Sequence, residues 1–264
     1  MLIILGLLVL TASCYGQSWT KVPGALTQVS IGGAGVWGVN AGSNIYYRQG
    51  TYRNPSTTGT AWTLISGGLK QVDVGKDIVV GVNNNDEIFY RYGVTNNLPS
   101  GSSWVKLSGA LKHVTVSPRG SIWGVNSADQ IYFRTGIDRT NPAGTGWQQV
   151  DGALKQISVG PSGVWGVNAN DDIFYRDGTY GGGITAGSRW TNVQGKLKYI
   201  TSGSGVVLGV NSQNQIFRRT GVSQTNPTGT AWALLTGGLT VIDEYGGTLW
   251  GVNSGQEIFT SPTN

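Results

Sequence analysis

A five-residue segment that recurs six times along the chain limits the fold more than any other feature. Its copies are "VWGVN" at 36–40 and 164–168, "IWGVN" at 122–126, "LWGVN" at 249–253, and "VVGVN" and "VLGVN" ending at Asn83 and Asn211. Aligned on the final Asn, the copies are separated by 43, 43, 42, 43 and 42 residues. A repeat of this length is typical of four-stranded propeller blades.

A second marker gives the same period independently. It is a tryptophan in each repeat: Trp19, Trp62, Trp104, Trp147, Trp190 and Trp232. Its steps are 43, 42, 43, 43 and 42 residues. Because two separate markers agree, we predict six tandem repeats that start near these tryptophans and occupy residues 17–264.

Each repeat contains four short segments in which apolar and polar residues alternate. In residues 62–93 they are "WTLI", "LKQVDVG", "IVVGVN" and "EIFYRYG", with Gly or Asn between them. This alternation is typical of strands. The fold class predicted is therefore all-β, a six-bladed β-propeller of four-stranded blades. An open solenoid is the alternative, but it needs distinct polar caps, and the terminal repeats here are ordinary.

The two ends of the chain suggest how the ring closes. If each Trp strand pairs with the Ile-aromatic strand before it, the last blade lacks one strand, and the N-terminal Trp strand supplies it. The tight "SGG" link at 66–68 leaves the alternative that the Trp strand belongs to the blade that follows.

Residues 1–16, "MLIILGLLVLTASCYG", have the apolar run and small residues of a secretory signal peptide. The run is too short to span a bilayer, so membrane insertion is not expected. We predict a secreted, extracellular protein whose mature chain lacks cysteine, since Cys14 is the only one.

The residues that most catalytic sites require are scarce or scattered. His113 is the only histidine, so a His-based zinc site or a Ser-His-Asp triad has little to rest on. Most acidic residues follow the "GVN" segments in turns, as Asp86, Asp129 and Asp171 do. Such turns offer oxygen ligands to calcium, but no calcium-loop spacing appears. We predict no enzyme, no metal and no cofactor.

The repeated pattern of Trp, Gly-x-Leu, Val-Trp-Gly-Val-Asn and Ile-Tyr/Phe-x-Arg resembles the tectonin repeat over the whole mature chain. Six copies behind a signal peptide resemble the secreted fish egg lectins. That resemblance implies a six-bladed propeller that binds N-acetylglucosamine-type sugars and bacterial surface glycans such as lipopolysaccharide. Tectonin propellers also occur in intracellular adaptors, so a non-catalytic protein-binding or scaffold propeller is the alternative.

Sugars stack on aromatic rings and accept or donate hydrogen bonds to amides and guanidinium groups. The candidate carbohydrate-binding residues of these three types are Asn40, Asn83, Asn126, Asn168, Asn211 and Asn253; Arg48, Arg91, Arg134, Arg176 and Arg219; and Trp37, Trp123, Trp165 and Trp250. A structural role is the alternative for each type: Asn as a turn former, Arg as a pin between blades, and Trp as core.

A lysine occupies the same register position in repeats two to five, whereas Thr27 and Thr240 occupy it in repeats one and six. These lysines are Lys70, Lys112, Lys155 and Lys198. Together with the net charge of +5, they predict a rim for an acidic ligand such as the phosphates of lipopolysaccharide. The five long loops between an Ile-aromatic strand and the next Trp are polar and neutral, which favours sugars over nucleic acid. The sequence contains no signal for an oligomeric state.

Overall fold

The computed structural model describes residues 16–263, which form 24 strands in six antiparallel four-stranded sheets. This part of the chain contains no helix. The innermost strand of each sheet contacts that of the next sheet around a closed circle. The predicted six-bladed β-propeller is confirmed. The predicted signal peptide lies outside the described residues except for Gly16.

The blades are numbered in chain order, and the strands of each are given from the central channel outwards. Blade 1 contains β2 (Gln28–Gly32), β3 (Gly35–Val39), β4 (Ile45–Arg48) and β5 (Trp62–Ile65). Blade 2 contains β6 (Gln71–Val74), β7 (Val79–Val82), β8 (Glu87–Tyr92) and β9 (Ser103–Ala110). Blade 3 contains β10 (His113–Val116), β11 (Ile122–Val125), β12 (Gln130–Thr135) and β13 (Gly146–Ala153).

The second half of the chain repeats this order. Blade 4 contains β14 (Gln156–Gly160), β15 (Gly163–Val167), β16 (Asp172–Arg176) and β17 (Trp190–Lys196). Blade 5 contains β18 (Tyr199–Ser202), β19 (Val207–Val210), β20 (Gln215–Thr220) and β21 (Ala231–Gly238). Blade 6 contains β22 (Val241–Tyr245), β23 (Thr248–Val252) and β24 (Ile258–Pro262), and its outer strand is β1 (Thr20–Val22).

The pairing of the outer strands decides between the two closures that the sequence left open. Trp62 of β5 lies opposite Arg48 of β4, in the blade that precedes it in the chain. Blade 6 therefore lacks an outer strand of its own, and β1 supplies it by pairing Thr20 with Thr260 and Val22 with Ile258. Closure by the N-terminal strand is confirmed.

The hydrophobic core lies between neighbouring blades rather than inside each one. Trp37 of blade 1, for example, packs in one cluster with Val72 and Val74 of blade 2. Since each blade buries both faces against its neighbours, the strands read as almost continuous buried segments, such as "GVWGV" in β3.

Glutamine side chains cross from blade to blade at the first position of the innermost strands. Gln71 donates from Nε2 to the carbonyl oxygen of Val114 at 2.8 Å and accepts from the Val114 amide at 3.1 Å. Gln28 bonds to Val72 in the same way, and Gln156 bonds to Ile200. In blade 3 this position is His113, whose two ring nitrogens are buried without a hydrogen-bond partner.

His113→Gln is expected to stabilise the fold, because Gln can make the bridge that His cannot, at about 1 kcal/mol per hydrogen bond. Burial, with Lys112 and Lys70 nearby, lowers the pKa of His113 from 6.5 to about 3. Below about pH 6.5 the unfolded chain therefore binds a proton on His113 that the native state does not bind, which destabilises the parent protein. The gain in stability from His113→Gln should accordingly be larger at pH 5 than at pH 8.

Chemical denaturation at both pH values measures this difference. Gln71→Ala is the matched control, and it should destabilise by about 1 to 3 kcal/mol, since it leaves both polar groups of Val114 unpaired. A His113→Gln protein that is less stable than the parent at both pH values would contradict the prediction.

Candidate functional site

The six candidate asparagines all form the same tight turn between the second and third strands of a blade. In blade 5, Oδ1 of Asn211 accepts the amides of Gln213 and Gln215 at 3.0 and 2.9 Å, while Nδ2 donates to the side chain of Gln215 at 2.8 Å. The carbonyl side of each amide is thus used within the turn. One Nδ2 hydrogen remains for a ligand.

The five candidate arginines hold the long loops against the blades. Nε of Arg91 donates to the carbonyl oxygen of Ser100 at 2.8 Å, and its guanidinium carbon lies 5.2 Å from the ring centroid of Trp104. The same pair of contacts occurs at Arg48, Arg134, Arg176 and Arg219. This geometry fits the structural alternative: the arginines order the loop and cover the outer tryptophan through cation–π contact.

The four tryptophans of the "WGVN" segments lie in the core. Trp37, Trp123, Trp165 and Trp250 each have 0% exposed surface. A ring with no exposed face cannot stack on a sugar, so their candidate role in binding is corrected to packing between blades. Val80 and Leu208, also 0% exposed, fill the same position in blades 2 and 5.

Aromatic side chains that line open space lie instead in clefts between neighbouring blades. The cleft between blades 4 and 5 has a volume of about 200 Å³. Blade 5 provides Asn211, Phe217 and Trp232 to its lining, and blade 4 provides Ile173 and Lys196. The ring of Trp232 is anchored there by a 2.9 Å hydrogen bond from Nε1 to the carbonyl oxygen of Gln194.

Equivalent contacts occur at all six blade junctions. The clefts between blades 2 and 3 and between blades 3 and 4 have volumes of about 190 and 120 Å³. At the other three junctions the tryptophan makes the same bond to the preceding blade, from Trp62 to Pro23, Trp104 to Ser66 and Trp19 to Thr236. The third-strand aromatics at the six junctions, all half-buried, are Tyr46, Phe89, Tyr132, Phe174, Phe217 and Phe259.

A glycine keeps each cleft open where the chain links two blades. Gly195 has φ of +129°, and a Cβ there would lie 2.9 Å from Nε1 of Trp232. Both its backbone conformation and its close approach to the ring therefore require glycine. In the sequence, the outer tryptophans served only to measure the repeat. The signal for a cleft was the glycine that follows each of them by five residues.

The predicted lysine rim is largely neutralised. Lys70, Lys112 and Lys155 form ion pairs with Asp86, Asp129 and Asp171 of their own blades. At the same position in blade 5, Lys198 donates to Oδ1 of the neutral Asn214. The four lysines do lie on consecutive blades, but three of them carry a compensating carboxylate.

A cavity of about 530 Å³ lies in the central channel at the end where the innermost strands finish. Its floor contains Asp73 and Asp243, and both carboxylates contact the hydroxyl of Ser30, at 3.2 and 2.8 Å. Arg53 and Lys76 lie at its mouth. Sequence reasoning missed this pair, although the equivalent strand position holds Ser or Thr in the other four blades.

Burial disfavours the charged form of both channel carboxylates. It raises the pKa of Asp73 from 3.8 to about 7, with repulsion from Asp243 as the second cause. Burial likewise raises the pKa of Asp243. Backbone amides and hydroxyls that donate to the two groups, including Val116 N to Asp73 at 2.6 Å, offset only part of this effect.

Asp73→Asn is expected to stabilise the fold at pH 8 and to change little at pH 4. The native state holds a proton on Asp73 up to about pH 7 that the unfolded chain loses near pH 4, so stability falls as pH rises through this window. Each pKa unit corresponds to about 1.4 kcal/mol, which sets a gain of a few kcal/mol at most.

Urea titrations of both proteins at pH 4, 6 and 8 measure this dependence. Asp243→Asn is the matched variant and should give the same trend, because removal of either charge relieves the other. If Asp73→Asn changes the free energy of unfolding equally at all three pH values, the two aspartates do not retain a proton in the native state.

Within residues 16–263, no group of three or more His, Cys, Asp or Glu side chains could hold a metal ion. No helix in the same range is long and apolar enough to cross a membrane.

Six four-stranded blades in a closed ring, with an outer tryptophan bonded across each junction, define the protein as a six-bladed β-propeller. The sequence matches the family model of the tectonin domain over residues 10–109 and 52–254. The chain belongs to the tectonin domain family. None of the proteins with curated descriptions matches it in sequence.

Solved structures that resemble the chain are also propellers. The β-propeller domain of Cps50 (Swd1) from Myceliophteria thermophila has a TM-score of 0.59 at 7% identity, with 92% of this chain and 99% of that chain covered. Human WBSCR16 has a TM-score of 0.56 at 11% identity over 90% and 72% of the two chains. Prp20p from Saccharomyces cerevisiae, described with its binding to Gsp1p and histones, has a TM-score of 0.54 at 10% identity over 89% and 68%. At these identities the likeness concerns the fold alone.

Proposed function

We propose that the protein is a secreted, non-enzymatic lectin that binds N-acetylglucosamine-type sugars in the clefts between its blades. The observation that carries this proposal is the cleft between blades 4 and 5, where Phe217 and Trp232 face an open volume of about 200 Å³ beside Asn211. Aromatic rings suit the apolar C–H faces of a sugar. The free Nδ2 hydrogen of the asparagine suits a hydroxyl or acetamido oxygen.

The repetition of this cleft supports recognition of a surface that displays many sugars. A single site with a millimolar dissociation constant corresponds to only about −4 kcal/mol. Simultaneous binding at several clefts raises the avidity by about a hundredfold to ten-thousandfold. Bacterial glycans such as lipopolysaccharide, or the coat of an egg, present sugars at such density, so innate defence or egg protection is the role we propose.

Secretion rests on the apolar segment at 2–10, which has the composition of a signal peptide. An extracellular location would bring the clefts into contact with such glycans. No calcium is required by this proposal, because the cleft residues are rings, an amide, an ammonium group and aliphatic side chains, none of which is a carboxylate.

A protein-binding or scaffold propeller is the second candidate. The central cavity of about 530 Å³ favours it, since the mouth of a propeller channel can receive a loop or side chain of a partner. In that case the six clefts are packing defects, and no free sugar should compete with the partner.

Titration with N-acetylglucosamine, followed by NMR of the indole N–H groups, tests the lectin proposal and its location together. The chain has ten tryptophans: four lie in the core, and Trp19, Trp62, Trp104, Trp147, Trp190 and Trp232 lie at clefts. The cleft resonances are expected to shift at millimolar sugar, and the four core resonances are expected to stay in place. Shifts confined to the core tryptophans, or an absence of shifts, would refute sugar binding in the clefts.

Retention on immobilised N-acetylglucosamine provides a second, functional measurement. The mature protein should be retained and should elute with free sugar, with and without a chelator. Phe217→Ala should weaken retention only slightly, because five clefts remain, whereas the same change at three clefts should abolish it. Failure to bind this column or a broad glycan panel would leave the scaffold propeller as the better explanation.

A further inference from the structure

The six blades carry equivalent residue pairs on the face where the "GVN" turns lie, and one pair differs from the rest in charge. Each pair joins the first residue before an innermost strand to the turn residue that has φ between 62° and 65°. The pairs are Thr27 and Ser43, Lys70 and Asp86, Lys112 and Asp129, Lys155 and Asp171, Lys198 and Asn214, and Thr240 and Gln256. Five pairs have a net charge of zero, and the pair of blade 5 has a net charge of +1.

Contacts confirm that the charge of Lys198 is not balanced by a carboxylate of its own. Its Nζ donates to Oδ1 of Asn214, whereas Lys155 forms an ion pair with Asp171. Asp171 raises the pKa of Lys198 less than burial lowers it. Two lysines thus share one carboxylate at the junction of blades 4 and 5.

This excess charge lies beside residues that line an open cleft. Lys198 directly follows Leu197, and its partner Asn214 belongs to the turn that begins at Asn211; both Leu197 and Asn211 line the cleft with Trp232. The amide of Asn214 donates to the carbonyl oxygen of Asn211 at 3.0 Å. The remaining lysine of this cleft, Lys196, is neutralised by Asp172 at 2.6 Å.

We propose that the cleft between blades 4 and 5 selects sugars that carry an acidic substituent, such as a phosphate, and that the other clefts do not. Lys198 supplies the selectivity, and Asn214 permits it by leaving the ammonium group unneutralised. The inference rests on the proposed lectin function, whose sugar site it uses. An exposed ion pair of this kind favours the acidic sugar about two- to fivefold, and salt reduces the preference.

The experiment compares N-acetylglucosamine with N-acetylglucosamine 6-phosphate as probes, with each cleft reported by its own indole resonance. In the parent protein, the Trp232 resonance should titrate at about two- to fivefold lower concentration with the phosphate than with the neutral sugar. The other five cleft resonances should show no such preference.

Substitutions of the turn residues should remove the preference for the phosphorylated sugar in one cleft and create it in another. Asn214→Asp installs the residue that three other blades carry, and it should remove the preference at Trp232 without changing the response to neutral sugar. Asp129→Asn frees Lys112 in blade 3, and it should create the same preference at Trp147, which lines the cleft between blades 2 and 3. Lys198→Thr, which copies blades 1 and 6, should act as Asn214→Asp does.

The outcomes separate this inference from the proposed function. If all six cleft resonances respond equally to both probes, or if Asn214→Asp leaves the preference intact, the inference is overturned and the lectin proposal stands. If no cleft resonance responds to either probe, both are overturned. Inorganic phosphate as a third probe shows whether the anion binds without a sugar. If the Trp232 resonance reports the same affinity for inorganic phosphate as for the phosphorylated sugar, selection of an acidic sugar is also overturned.

Discussion

The fold depends on one short contact, the pairing of β1 with β24. Only three residue pairs form it, but Val22 of β1 is 1% exposed and belongs to the cluster between blades 6 and 1. The hydroxyl of Ser261 adds a 2.6 Å bond to the carbonyl oxygen of Ser18. Because every blade buries both faces against neighbours, an open ring would expose two apolar faces at once. The same contact places Trp19 against blade 5, where its ring makes the sixth bond of this kind between blades.

The residues repeated most faithfully serve the scaffold. The asparagines close turns, the arginines hold loops over the outer tryptophans, and the "WGVN" tryptophans fill the core. Each uses its chemistry inside the repeat. Loss of an Asn or Arg therefore costs a turn or a loop contact, whereas Val80 and Leu208 show that the core position also accepts an aliphatic side chain. The groups left for a ligand are the half-buried aromatics of the third and outer strands and one hydrogen of each asparagine amide.

Several departures from the repeat lie in paired strands or in turns but involve side chains that the strand pairing does not use. His113 replaces a bridging glutamine, Asp73 and Asp243 replace small hydroxyl residues in the channel, and Asn214 replaces an aspartate at the rim. Each changes charge or hydrogen bonding in one blade and leaves the backbone ladder intact. A ring of near-identical units can therefore acquire individual properties, such as a proton-binding pair in the channel or one cationic cleft, with little change to its architecture.

The period of 42 to 43 residues and the alternation within each repeat determined the six four-stranded blades, because strand periodicity and turn residues are local properties. The pairing partner of each Trp strand was not local: both choices satisfied the same sequence, and only closure of the ring decided it. For the site, residue type offered amides, guanidinium groups and rings as candidates, but it did not show which of them the fold itself would use. Which ring was exposed depended on contacts between blades. Trp37 and Trp62 are both strand tryptophans in the first blade, but the tertiary packing buries one completely and places the other at the junction with the neighbouring blade.

The charge of the lysine rim was likewise visible in the sequence. Its neutralisation was not, because it depends on turns that bring residues sixteen or seventeen positions apart into contact.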